Sequence, residues 1–152
     1  MQHVGFAVWQ LQELETLAAS YLVVRVKATK GIGKEKGEAL LATAEKCTFG
    51  TLLRDLEKAG VVPTSMSSRL QTALNDRNWL VHRSRRDSRG ILDSPETYSA
   101  LTVRLERMSA DALQLLKELG LELEAYVVSQ GVSQAQIDAD AARIARSWGL
   151  IS

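Results

Sequence analysis

From Tyr98 to Tyr126 the apolar residues Tyr98, Leu101, Leu105, Met108, Ala112, Leu115, Leu119, Leu123 and Tyr126 follow one another at intervals of three and four. That spacing keeps one stripe of a single continuous α-helix apolar and leaves the rest polar. Ser94-Pro95-Glu96 supplies the start, a capping hydroxyl followed by Pro at the first helical position, where its missing N–H goes unused. A helix of this length spans about 45 Å and has to pack along its whole stripe, as the spine of a bundle or as a seam for a partner.

The remaining chain reads the same way. Only 2 of the 152 residues are Pro, so the breakers that remain fall between helices rather than inside them. Val4, Val8, Leu11, Leu14, Ala18, Tyr21 and Leu22 mark a long first helix to about Val26. Lys30 to Gly37, with three glycines and three lysines, reads as a mobile loop. A second helix is expected from about Glu38 to Lys46, and a third from Phe49 to Ala59 with Gly60 as its stop. After Pro63, with Thr64 or Ser65 as N-cap, a fourth carries Met66, Leu70, Ala73, Leu74 and Val81 inward and frays after His82. Beyond Gly131 and Ser133 a short terminal helix carries Ile137, Ala141, Ile144 and Trp148 on one stripe. The fold class is therefore all-α, an up-and-down bundle of five or six helices. Residues 1–130 form the bundle and residues 131–152 an arm that docks on it or on a neighbouring subunit.

Charge and motifs remove several classes of function. A formal net charge of +1 argues against a surface built throughout for nucleic acid or acidic lipid, so anion binding has to be local. The lone Cys47 cannot make an internal disulfide and reads as a small, partly buried side chain. The most apolar stretch, Leu17 to Val26, is too short to span a bilayer, so no membrane is expected and the cytoplasm is the expected location. His3 and His82 do not stand at ligand spacing, which implies neither a metal nor a cofactor. Lys30 to Gly37 lacks both the spacing and the Gly-Lys-Ser/Thr ending of a phosphate-binding P-loop.

One segment breaks its own pattern. On a helical wheel Met66, Leu74 and Val81 lie within about 40° of Leu70, and Arg77 falls among them. A guanidinium there is costly to desolvate unless a carboxylate from another helix pairs with it or a wet cleft receives it. Asn78 and His82, four residues apart, share the adjacent strip, from which long side chains could meet Arg77 in one cleft. Histidine is the side chain suited to carry a proton at neutral pH. Trp79 points to the polar face, which requires a second helix layer or a subunit interface to cover it. Just downstream Arg83, Arg85, Arg86 and Arg89 face only Asp87, a positive patch that would attract RNA or phosphate unless acids such as Glu118, Glu122 and Glu124 balance it.

Arg77-Asn78 followed by His82 resembles the Arg-X4–6-His motif of the HEPN superfamily, in which a polar residue commonly follows the Arg. The context from Leu52 to His82, with Pro63 between two helices, is similar to HEPN-type bacterial proteins. The resemblance implies a homodimer whose two motifs face one cleft and, in active members, metal-independent RNA cleavage in toxin or defence systems. His82 would then serve as general acid or base, Arg77 would stabilise phosphate charge and Asn78 would orient a neighbouring group, with an antitoxin or a nucleotidyltransferase-like protein as partner. Ser84 stands where some family toxins carry a modified Tyr, so that mode of control is not implied. Two further readings stay open: a non-catalytic dimeric adaptor with Arg77 in a structural ion pair, and a phosphoanion-binding regulator using the patch from Arg83 to Arg89.

Overall fold

Helices dominate the computed structural model, which describes residues 2–87, 89–90, 94–147 and 149–150. Among them run seven α-helices: α1 (Gln2–Leu22), α2 (Lys34–Glu45), α3 (Phe49–Ala59), α4 (Thr64–His82), α5 (Ser84–Asp87), α6 (Pro95–Ser129) and α7 (Gln134–Ser147), with a π-helical turn at Val23–Lys27. The described residues contain no strand. The chain divides into two compact units, Met1–Gly120 and Leu121–Ser152, and α6 contributes to both.

Local chemistry sets most of the boundaries. Thr48 accepts the Thr51 N–H at 3.2 Å to open α3, and Ser94 accepts the Thr97 N–H at 3.1 Å to open α6. Gly60 closes α3 at φ +64°, a left-handed conformation that leaves its N–H free to reach the Leu56 and Glu57 carbonyls. Three boundaries depart from the sequence expectation. α2 begins at Lys34 rather than Glu38, so half of the expected loop is helix: Gly33 at φ +88° turns the chain in, Glu35 meets the positive end of the helix dipole, and Lys34 lies 3.7 Å from Glu38. α4 begins at Thr64 with Pro63 as N-cap and no side-chain cap; the Pro63 carbonyl receives the Met66 and Ser67 N–H groups instead. Finally, the chain does not fray after His82. The Arg83 N–H bonds the Trp79 carbonyl and the Ser84 hydroxyl donates to the Leu80 carbonyl, which restarts the helix as α5. That four-residue helix is the one absent from the expected five or six.

In the first unit, α1, α3, α4 and α6 bury their apolar stripes together, with Leu14, Tyr21, Phe49, Leu56, Leu70 and Leu115 among the buried residues. Tyr21 is fully enclosed, and its hydroxyl donates to the Val61 carbonyl at 3.2 Å, so the polar tip of a core aromatic is satisfied. Ion pairs fix the direction of the long helices. Arg69, Asp76 and Trp79 of α4 meet Glu118, Arg107 and Arg104 of α6 in descending order, so these two helices run antiparallel. Val61 and Arg77 meet Tyr21 and Glu15, which makes α1 antiparallel to α4 as well.

α4 therefore has two inward strips, where the wheel had indicated one. Met66, Leu70 and Arg77 belong to the strip toward α1 and α3, whereas Ala73, Asp76 and Leu80 belong to the strip toward α6. Val81, expected inward, is 54% exposed, and Leu80 is buried in its place. In the second unit, Ser133 opens α7 by accepting the Gln136 N–H, and the Gln134 amide donates to Glu124 and Asp138. Ile137 is half-buried while Ala141 and Ile144 are exposed; Trp148 lies outside the described residues. No described helix is long and apolar enough to cross a membrane.

Two measurements check this account. Leu14 has no exposed surface, so Leu14→Ala should lower the unfolding free energy by about 3 kcal/mol in urea denaturation. Glu118 accepts from Arg69, and also from Gln114, and the Arg69 hydrogen bond chiefly holds its carboxyl below the usual 4.5. Its contribution is present above the unfolded carboxylate pKa and is lost as pH falls through the lowered folded value. Stability curves from neutral to acid pH should therefore show an acid limb that Arg69→Gln flattens.

Candidate functional site

The last two turns of α4 and the whole of α5 carry every residue singled out in the sequence around His82. Asn75, Asn78, Trp79 and His82 repeat at three and four residues, so their side chains share one strip of α4. With Arg83 they line an open cleft of about 490 Å³. Asn78, His82 and Arg83 are exposed in it.

Arg77 does not join them. One helical step of 100° turns it toward α1, where its Nε donates to Glu15 Oε1 at 2.7 Å. Both side chains are largely covered, at 33% and 23% exposed, which strengthens the pair relative to one in free solvent. The expected convergence of all three motif residues in a single cleft is thus not what the fold produces. Asn78 and His82 come together, and Arg77 is anchored beside them. Only Nε is used in that bond, so the terminal Nη groups make no hydrogen bond to any described residue.

Trp79 is covered by a second helix layer. The Arg104 guanidinium of α6 lies 3.5 Å from its ring centroid, and the indole N–H donates to Asp87 Oδ2 of α5 at 3.0 Å. Asp87 Oδ1 in turn accepts from Arg86 Nε at 3.3 Å. The only acid within the Arg-rich run is therefore committed to Trp79 and Arg86, while Arg83, Arg85 and Arg89 remain exposed. Glu118 does not balance this patch, because it pairs with Arg69, roughly 20 Å farther along α4 by helical rise. Glu124 is held by Gln134.

Sequence reasoning missed three residues of this arrangement. Asn75 was legible as a member of the strip of Asn78 and His82. Glu15 and Arg104 were not, since each comes from a different helix and nothing in the local pattern distinguishes it from other surface charges. Cys47 is half-buried, its thiol donating to the Thr43 carbonyl, and the described residues contain no group of His, Cys, Asp or Glu side chains that could hold a metal ion. Away from the cleft, Phe6 and Trp9 of α1 stand about half exposed with ring centroids 6.0 Å apart, beside a shallow apolar groove that reaches Leu113 of α6.

The Arg77–Glu15 pair can be measured directly. A double-mutant cycle with Glu15→Gln and Arg77→Gln should return a coupling of about 1 kcal/mol, the upper end for a pair with partial solvent access. A value near zero would show that the contact does not hold Arg77 in place. Comparison of the chain with protein-family models, with curated proteins and with solved structures returns no match.

Proposed function

We propose that this chain is a HEPN-like RNA endonuclease, working without metal as a homodimer in a toxin or defence role, with its site at the end of α4. The observation that carries the reading is the solvent-open cleft shared by Asn78, His82 and Arg83, with Arg77 one helical step away and fixed through Nε alone. In this reading His82 takes the proton from a ribose 2′-hydroxyl as its oxygen attacks phosphorus, or returns a proton to the departing 5′-oxygen. Arg83 faces the charge that builds on the phosphate, Arg77 adds its positive charge from beside the cleft, and the Asn78 carboxamide orients the group beside it. Arg85, Arg86 and Arg89 extend the attraction along the RNA backbone. An antitoxin or a nucleotidyltransferase-like protein is the partner that the toxin role would require.

A second reading, a non-catalytic dimeric adaptor, is favoured by the same Arg77–Glu15 pair, which gives Arg77 a structural task. The exposed Phe6 and Trp9 suit it too, because aromatic surface of this kind is common at protein interfaces. Cleavage of a mixed RNA pool in EDTA separates the two. The nuclease reading expects cleavage by the wild type and a loss of roughly 10²-fold or more in His82→Ala of unchanged fold. The adaptor reading expects no cleavage by either protein, together with a loss of stability in Arg77→Ala.

A further inference from the structure

Trp79 has no part in the acid–base chemistry assigned to its neighbours, yet it is held more firmly than any of them. Arg104 lies over its ring at 3.5 Å, the indole N–H is bonded to Asp87 at 3.0 Å, and Asp87 is tied to Arg86. A large aromatic side chain fixed at both face and edge has little rotational freedom left to lose when a ligand arrives. It remains half-buried and forms part of the wall of the cleft that also contains Asn75, Asn78, His82 and Arg83. At about 490 Å³ that cleft falls within the usual size of small-ligand sites.

The residues beside Trp79 on the same strip match a nucleobase. Asn75 and Asn78 stand three residues apart on one strip. The Asn75 Oδ1 accepts from Gln71 Nε2 at 3.4 Å, which leaves its Nδ2 to donate. Asn78 offers donor and acceptor side by side, the pattern that pairs with a base edge. Arg83 adds a cation at the mouth of the cleft. In a duplex the base faces are covered by their neighbours, so only an unpaired base can lie flat on an indole. We infer that this cleft takes one unpaired base of single-stranded RNA, stacked on Trp79, with its edge read by Asn78 and Asn75 and its phosphate at Arg83. The inference rests on the RNA reading given above and adds the residues that hold and read the base.

The test is fluorescence anisotropy of the full chain with three labelled probes: a short single-stranded RNA, the same strand annealed to its complement, and the same strand with abasic ribose at every position. Binding should weaken roughly ten- to hundredfold on the duplex and on the abasic strand, which is the range of one lost base–aromatic stack. Trp79→Leu should reproduce that loss on the intact strand and Trp79→Phe should recover most of it; if Trp79→Leu does not fold, the abasic comparison decides alone. Equal affinity for intact and abasic strands would overturn the base stack while leaving an RNA-binding module standing. A loss on abasic RNA that Trp79→Leu does not reproduce would overturn the assignment to Trp79. Absence of binding to any RNA would remove both this inference and the function on which it rests.

Discussion

Asp76 is 8% exposed on the face of α4 that packs against α6, and it can stay there because Arg107 of α6 reaches both of its carboxylate oxygens at 3.3 Å. A buried carboxylate left without a counter-charge is strongly unfavourable, so any sliding of one helix past the other is opposed at this point. The register of α4 against α6 follows from it. With Asp76 level with Arg107, Trp79 comes level with Arg104 and Arg69 with Glu118. The position of Trp79 beside the cleft is thus set by a charge pair one turn away that takes no part in lining it.

The same geometry explains why α4 presents three kinds of surface. Two strips are used up by α1 and α6, and the residues between them and solvent must be polar yet held. Arg77 meets that condition through Glu15, Trp79 through Arg104 and Asp87, and Asn78 and His82 are left to face outward. A helix packed on one side only would have placed Arg77 with the exposed residues and left Trp79 bare. The arrangement around His82 is a consequence of packing on two sides and of a chain that turns into α5 as soon as α4 ends.

Periodicity was enough to read the helical class, the extents of α3 and α6, and most of the α1 stripe, because these depend on residues close in sequence. It was not enough for α4. A single wheel averages two inward strips into one, which put Val81 inward and passed over Leu80, whereas the packing exposes Val81 and buries Leu80. The start of α2 was missed because Gly33 and Lys34 read as loop residues until the capping turn and the Lys34–Glu38 contact are seen together. At the site, Arg77's need for a carboxylate was legible, but the identity of that carboxylate was not. Glu15 stands 62 residues away, and a lone sequence offers no means to choose it among the other acids of α1.

The turn from Gly60 to Pro63 between α3 and α4 also bears on the order in which the molecule assembles. Closing a loop that short costs little chain entropy, so the α3–α4 hairpin is favoured to form from local contacts alone. The residues that hold Arg77 and Trp79 in place arrive by longer routes, Glu15 from α1 and Arg104 from beyond α5. A nascent chain therefore exposes His82 and the arginines after it before α6 has covered Trp79, and the fixed position of Trp79 beside them is a property of the docked unit that no isolated fragment of α4 would possess.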